Sequence, residues 1–308
     1  MSVVKSYSFP EGDVRGDMFY IKHNSDNFTI IDCYLKEGDN SSCRKDEILA
    51  EIAEESKDKT IKRFISTHPH NDHILGIELL DAQEEIINFY AVANDIPANP
   101  DDESLTKYID LKATKNTPIE EGLRRCWINK KDEKRESSGI TFQWPKTNVA
   151  EFKDALAKVK NGDNPNNISC VFTYSINNGP KFMWMGDMQT EMQEVFLREM
   201  KDQLKPVDIF FHPHHGRKTS APPQELLDIL NPKIVVISNA PADDLNYDEP
   251  DRTITQSRAG DIVFVNEGDY VHVYTANEYN EAPECLERLR DMSDSAKYGH
   301  YIGSLNLT

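Results

Sequence analysis

Three histidines and an aspartate fall within six residues in Thr67-His68-Pro69-His70-Asn71-Asp72-His73, out of nine histidines in the whole chain. Imidazole nitrogen and carboxylate oxygen are the donors that zinc and related divalent metals prefer. The chemistry open to such a cluster is hydrolysis by metal-activated water. In an extended and then turning loop, alternate residues project the same way. His68 and His70 can therefore grip one ion, and after the turn Asp72 and His73 can face a second. The plain alternative, a solvated histidine-rich loop, does not explain so tight a spacing. Asp187 follows Gly186 at the end of a strand-like run, where a carboxylate could bridge two ions from a rigid position. A second concentration is His212, His214 and His215, followed by Arg217 and Lys218, whose charges could meet phosphate oxygens.

Such groups need rigid elements to hold them. Ile61–Thr67 reads as a short strand leading straight into the cluster, and Gly76–Leu80 as a helix start beyond it. Upstream, Met18–Lys22 and Phe28–Leu35 are rich in β-branched and aromatic residues, with a turn at 24–27 between them. Residues 47–55 place Ile48, Leu49 and Ile52 on one helical face behind Asp46 as N-cap. Helices are expected at Val149–Val159, Met188–Met200 and Pro223–Leu230. Strands are expected at Ile168–Tyr174, Lys181–Met185, Val207–Phe211, Lys233–Ser238, Asp261–Val265 and Tyr270–Tyr274. Asn177-Asn178-Gly179-Pro180 joins the first two as a hairpin turn.

Residues 94–146 are charged and proline-containing, with one helical stretch at Ser104–Leu111, and read as an insertion over one face of the core. The segment after Asn277 reads as a polar tail with a helical stretch near Pro283–Met292. The pattern predicts an α/β protein of two sheets sandwiched between helices. It divides into one hydrolase domain over 1–276, with the insertion at about 94–146, and a C-terminal tail at 277–308.

Bulk properties bound the partners. The chain has 308 residues and a net charge of −18, with a mean hydropathy of −0.64. No run approaches the roughly 18 apolar residues that a membrane span needs, and the first residues lack the apolar segment of a secretory signal. A cytoplasmic protein without membrane contact is expected. Five scattered cysteines with no CxxC pair argue for reduced thiols rather than a disulfide framework or thiolate metal site. An acidic chain presents no broad basic face to duplex DNA, so an anionic substrate must be drawn in locally, by metal ions or a small patch. The notable basic run is Arg124-Arg125, Lys130-Lys131 and Lys134-Arg135, with Trp127 available to stack on a base. Its plain alternative is a charged loop interrupted by Asp132 and Glu133.

H-x-H-x-D-H followed by Gly76 resembles the signature of the metallo-β-lactamase superfamily. More closely, the chain resembles the hydrolase domain of ComEC-type DNA-uptake proteins and their free-standing relatives. Gly16-Asp17 with Ile30-Ile31-Asp32 resembles that group's opening strands, although Cys33 stands where a small residue is usual. Asn166-Asn167-Ile168-Ser169, the run ending Gly186-Asp187, and Asp208 through His212, His214, His215 and Gly216 resemble its later motifs. The similarity spans roughly residues 10–275, excluding most of 94–146. It implies an αββα sandwich of two mixed sheets flanked by helices, the metallo-β-lactamase fold, holding two divalent metal ions, zinc or manganese.

The ligands so implied are His68, His70, Asp72, His73, Asp187 and one of the 214–215 pair, with His215 preferred. Asp72 and His214 become the proton-handling residues, Asn167 and Ser169 face substrate with Arg217 and Lys218, and Asp32 and Asp208 are candidates to orient the histidines. His212 supports the strand end. Many superfamily members place a further histidine before the bridging aspartate, yet none lies between His73 and Asp187. The first site is then open, completed by water or Asn167, or a single ion occupies the Asp72/His73/Asp187/His215 site. The resemblance points to phosphodiester cleavage of DNA or another nucleic acid. The alternatives are a small ester, lactone or phosphoester (nucleotide-like or phosphocholine-like), and a subunit that docks partners through 94–146 or the tail.

Overall fold

The computed structural model describes the chain except residues 10–15, 37–40, 126–127, 129–135, 176–178, 241–243 and 246–249, and the side chains of 41–43 and 250. Two mixed sheets face one another. Among the described residues the larger has ten strands, in spatial order Leu286–Glu287, His300–Asn306, Tyr270–Thr275, Ile262–Glu267, Ser2–Ser6, Phe19–Lys22, Asn27–Ile31, Ile61–Ile65, Asn88–Ala91 and Asn116–Pro118. The smaller has six: Thr253–Thr255, Ile234–Ile237, Ile209–Phe211, Phe182–Trp184, Val171–Tyr174 and Ile140–Trp144.

The pleat sorts the larger sheet's residues between two cores, because successive side chains leave opposite faces. Val3, Tyr20, Phe28 and Phe64 join Ile48 and Ile52 of helix Ser41–Ser56, Ile77 and Leu80 of Ile77–Gln83, and Tyr108 and Leu111 of Glu103–Thr114. Their neighbours Val4, Phe19, Ile21 and Ile65 face the second sheet instead. The smaller sheet is covered outside by Ala150–Lys160, Thr190–Met200 and Gln224–Leu230, through Phe152, Phe196 and Leu226 among others. Ile234–Ile237 is buried along its whole length, as a parallel strand covered on both faces must be. The result is the expected sandwich of two mixed sheets flanked by helices. Among the described residues, no helix is long and apolar enough to cross a membrane.

Three local readings change. Segment 94–146 does not simply overlie the core. It supplies the strand Asn116–Pro118 to one sheet and Ile140–Trp144 to the other, with Trp144 fully buried. The stretch near Pro283–Met292 is not helical; it carries the short strand Leu286–Glu287. The last residues are a seven-residue strand, His300–Asn306, paired antiparallel to Tyr270–Thr275. The hairpin expected around Asn177 has its strands paired Phe182↔Tyr174, while its turn at 176–178 lies outside the described residues.

Ending the chain at residue 276 would strip Tyr301, Ile302 and Leu305, each under 5% exposed, from the sheet. At about 1.5–3 kcal/mol per buried apolar side chain, the loss is about 5 kcal/mol or more, comparable to a whole domain's stability. Denaturant unfolding of the truncated chain should show no cooperative transition in the range of the full chain.

Candidate metal centre

The chemistry-bearing residues of both sheets gather at one edge of the sandwich because each follows the carboxyl end of a strand. Asp32 follows Asn27–Ile31 and His68 follows Ile61–Ile65, two parallel neighbours. Asp187 follows Phe182–Trp184, and His214 and His215 follow Ile209–Phe211, again parallel. Backbone bonds tie these ends together: Cys170 N–H donates to the Thr67 carbonyl at 3.0 Å, His214 N–H to that of Gly186 at 3.0 Å, and Asp17 N–H to that of Asp72 at 3.1 Å. Crevices at strand carboxyl ends are where α/β sheets place ligands.

His68, His73 and His214 are oriented through hydrogen bonds at Nδ1, and His215 has Asp17 beside its Nδ1, which leaves Nε2 of these four to face the centre. His73 Nδ1 donates to Asp32 Oδ2 at 2.8 Å. Thr67 Oγ1 donates to the same oxygen at 2.7 Å and can then accept from His68 Nδ1 at 3.1 Å. His214 Nδ1 lies 2.8 Å from Ser220 Oγ, and His215 Nδ1 lies 3.3 Å from Asp17 Oδ1. Carboxylate or hydroxyl partners of this kind fix the tautomer of metal-ligating histidines.

Asp187, fully buried, sits between these rings. Its Oδ1 is 3.1 Å from His73 Nε2, and its Oδ2 is 3.6 Å from His214 Nε2, 3.7 Å from His215 Nε2 and 3.9 Å from His68 Nε2. Asp72 reaches 3.2 Å from His70 Nδ1 and 3.4 Å from His215 Nε2. Buried donors and acceptors are normally paired. Here His68 Nε2, His73 Nε2, His215 Nε2, Asp72 Oδ1 and both Asp187 oxygens have no hydrogen-bond partner. So many orphans around one point are costly, and a divalent cation is the group that would satisfy them together. The donor atoms fall into two groups within 4.8 Å, one of His68, His70 and Asp187 and one of Asp17, His73, Asp187 and His215, sharing Asp187. The residues present therefore fit a pair of divalent ions bridged by Asp187.

Backbone strain collects at the same place. Asp32, His214 and His215 hold φ of 55°, 52° and 56°, a conformation that costs non-glycine residues energy and clusters at functional sites. Gly186 also has positive φ, and a Cβ there would lie 2.8 Å from Ser169 Oγ and 2.9 Å from Thr67 Cβ. Only glycine lets the chain turn this tightly before Asp187.

Several expected roles shift. Ser169 is fully buried, and its Oγ accepts the Asp187 N–H at 3.1 Å, so it positions that aspartate and does not face substrate. Asn167 accepts the Gln189 N–H and donates to Gln189 and Glu191, tying down the start of helix Thr190–Met200. Its buried neighbour Asn166 is the residue that approaches His214 Nε2, at 3.5 Å. Asp208 lies at the amino end of its strand, accepting the Lys181 N–H and pairing with Lys233, remote in role from any histidine. Asp17, quoted only as part of a motif, is the residue that backs His215.

Arg217 Nη1 lies 3.4 Å from His214 Nε2, and Lys218 is exposed on the following turn. His212 is buried, its Nδ1 3.0 Å from the Pro213 carbonyl, at the strand end. Cys33, Cys170 and Cys285 are free thiols. Of the basic run, Arg125 bonds Thr117 and lies over the Tyr90 ring, whereas Trp127 and residues 130–135 lie outside the described residues.

Electrostatics follow from burial and these carboxylates. Burial, then the neighbouring His73, pushes His68 well below the ordinary imidazole value. For His73 burial also opposes the charge, but Asp187, Asp32 and Asp72 outweigh it and hold the ring protonated well above that value. Burial opposes His215 as well, and Asp17 with Asp187 overcomes it. A metal ion must displace these protons to reach both nitrogens. Binding near pH 7 should therefore release protons, with affinity rising as pH rises and release fading only well above pH 6.5. Titration calorimetry of a divalent ion in buffers of different ionisation heat reads this directly. Heats identical across buffers at pH 7 would contradict it.

No family model matches the chain, and no curated protein does. Among solved structures, it is similar to CmlA, a diiron β-hydroxylase from Streptomyces venezuelae, at 12% identity and a TM-score of 0.44, over 77% of this chain and 44% of that one. It is similar to unliganded yeast PDE1 at 12% identity and a TM-score of 0.39, over 79% of this chain and 90% of that one. A protein of unknown function from Enterococcus faecalis V583 is similar at 10% identity and a TM-score of 0.32, over 83% and 74%. The chain spans less than half the length of CmlA.

Proposed function

We propose that this chain is a two-metal hydrolase of phosphodiesters. The observation that carries the reading is Asp187, buried with both oxygens unpartnered and shared between two histidine groups. Two divalent ions there, zinc or manganese, would activate a water and neutralise charge developing on phosphoryl oxygens. The chain's own residues supply the rest. His68 and His70 would hold one side, and His73 and His215 the other, with Thr67, Asp32 and Asp17 standing behind His68, His73 and His215. Asp72, with a side chain 20% exposed between His70 and His215, is placed to take a proton from the attacking water. His214 sits at the mouth, braced by Ser220, and can pass a proton to the leaving oxygen. Arg217 beside it, with Lys218, offers positive charge to non-bridging oxygens.

Nucleic acid is the substrate class that the resemblance to ComEC-type hydrolase domains supports. A small nucleotide-like phosphoester is the second reading, favoured by the net charge of −18, which suits a substrate that needs only a pocket. Incubating the manganese- or zinc-loaded chain with supercoiled plasmid, single-stranded DNA and bis-p-nitrophenyl phosphate separates the two. Nicking or linearisation supports the first, and p-nitrophenol release with intact DNA the second. Failure to cleave any diester with either metal sinks the proposal.

A further inference from the structure

The first turn of helix Thr190–Met200 is stitched to the turn that follows the His214–His215 pair. Thr190 and Gln193 stand three positions apart, which places them on one face of the helix. The Thr190 hydroxyl shares its single hydrogen between the Ala221 carbonyl at 2.9 Å and the Thr219 carbonyl at 3.3 Å. Gln193 Nε2 donates to the Ser220 carbonyl at 2.9 Å and to the Met188 carbonyl at 2.7 Å. Three successive carbonyls of one turn are thus held by two side chains of one helix.

Gln193 and Ser220 are both fully buried. Both partners of the Gln193 nitrogen are carbonyls, which only accept, so the orientation of the amide is fixed. Its Oε1 has no partner among the described residues. Buried acceptors are rarely left so, and the two bonds of the nitrogen are what hold this side chain in place. The amide is a strut. One end rests on Met188, the residue after Asp187, and the other on Ser220, whose Oγ lies 2.8 Å from His214 Nδ1. His214 needs that support. Its φ of 52° is a strained conformation, which persists only where the surroundings over-determine it. Its own N–H is already tied to the Asp187 side through the Gly186 carbonyl.

We infer that Gln193, together with Thr190, is a positioning residue for His214. Acting through the Ser220 turn, it sets the ring at a fixed distance from Asp187 and aims Nε2 at the leaving oxygen of the substrate. The chemical step rests on the phosphodiesterase reading; the placing of the ring does not. In that step the water oxygen forms a bond to phosphorus and the bond from phosphorus to the leaving oxygen breaks. The proton which that oxygen then takes up comes from His214 Nε2. Its worth depends on the leaving group. p-Nitrophenolate departs readily as an anion, whereas the alkoxide of a nucleoside needs the proton.

Gln193→Met fills the same space without the two donors. Ser220→Ala removes only the hydroxyl that touches the ring, and reaches the same end should Gln193→Met fold poorly; thermal unfolding checks both. With the manganese-loaded chain, each variant should lower kcat on thymidylyl-thymidine about tenfold or more beyond its effect on bis-p-nitrophenyl phosphate, with KM near that of the parent. The double variant should be no worse than the poorer single one, because both cut the same link. A merely structural role would lower kcat on the two diesters alike. The second readout needs no catalysis: long-range proton–nitrogen spectra of the metal-free chain with labelled histidine, the His214 signals being identified by their loss in His214→Asn. The parent should give the two well-separated ring-nitrogen shifts of one tautomer, and both variants the averaged shifts of two. If the parent cleaves neither diester while these shifts change as expected, the hydrolytic reading falls and the positioning stands. The positioning is overturned by equal losses on the two diesters, and equally by His214 shifts in both folded variants that match those of the parent.

Discussion

Asp187→Asn should lower kcat/KM on bis-p-nitrophenyl phosphate by about 10³-fold while leaving the chain folded. Two-metal charge stabilisation is worth several kcal/mol, and each 1.36 kcal/mol is a factor of about ten. Asparagine keeps the shape of the side chain but offers one neutral oxygen where the site has two charged ones between the His68/His70 and His73/His215 groups. The charge matters in a second way. Burial opposes it, but His73 and His215 hold the Asp187 carboxyl well below the usual range, so at neutral pH the group is an anion and a ready ligand. Steady-state kinetics with circular dichroism as the folding check is sufficient, and activity within tenfold of the parent would remove Asp187 from the centre.

Among single substitutions at the centre, Asp32→Ala should have the largest effect on stability, roughly 3–5 kcal/mol, the cost of breaking one side of a buried ion pair. Asp32 accepts the Thr67 N–H at 2.7 Å, the Thr67 hydroxyl at 2.7 Å and His73 Nδ1 at 2.8 Å. Its removal leaves a buried imidazolium with one acid fewer and releases the loop that carries His68. Alanine also tolerates φ of 55° poorly. Asp32→Asn keeps the shape and the positive-φ tolerance. It should cost less stability but still about 10- to 100-fold in metal affinity, as loss of a histidine-orienting partner does. Denaturant unfolding and metal titration of the pair of variants separate the two effects. An alanine variant as stable as the parent would mean that the Asp32–Thr67–His73 network holds nothing in place.

How far the sequence could be read depended on whether the needed contact was local. His68 to His73 lie in one short segment, a loop running into the helical turn Asn71–Ile74, and Asp187 and His215 each follow a strand, so the turn that follows aims them at a shared edge. Asp17 could not be singled out that way. Gly16-Asp17 precedes a strand unremarkably, and only the packing of that strand's end against the 212–216 turn brings its carboxylate to His215. Asn167 and Ser169 illustrate the opposite error. They occupy and adjoin a single 3-10 turn, Asn166–Ile168, in which neighbouring residues point in different directions. The spacing could not say that Asn166 faces His214 while Asn167 ties down a helix. Asp208 stands second in the expected strand Val207–Phe211, and therefore at the end opposite the one from which His212 to His215 emerge. The last strand, His300–Asn306, escaped notice because Gly303, Ser304 and the charged segment before it hide the alternation, and its pairing carries a register shift. Strands Asn116–Pro118 and Ile140–Trp144 were concealed in the same way by charged connectors.

The most direct test of the bridged centre is anomalous diffraction at the metal absorption edge from crystals of the full chain grown with zinc or manganese. Two peaks are predicted, one beside His68 and His70 and one beside His73 and His215, with the Asp187 carboxylate contacting both. A map with no anomalous density in contact with Asp187 would contradict the account.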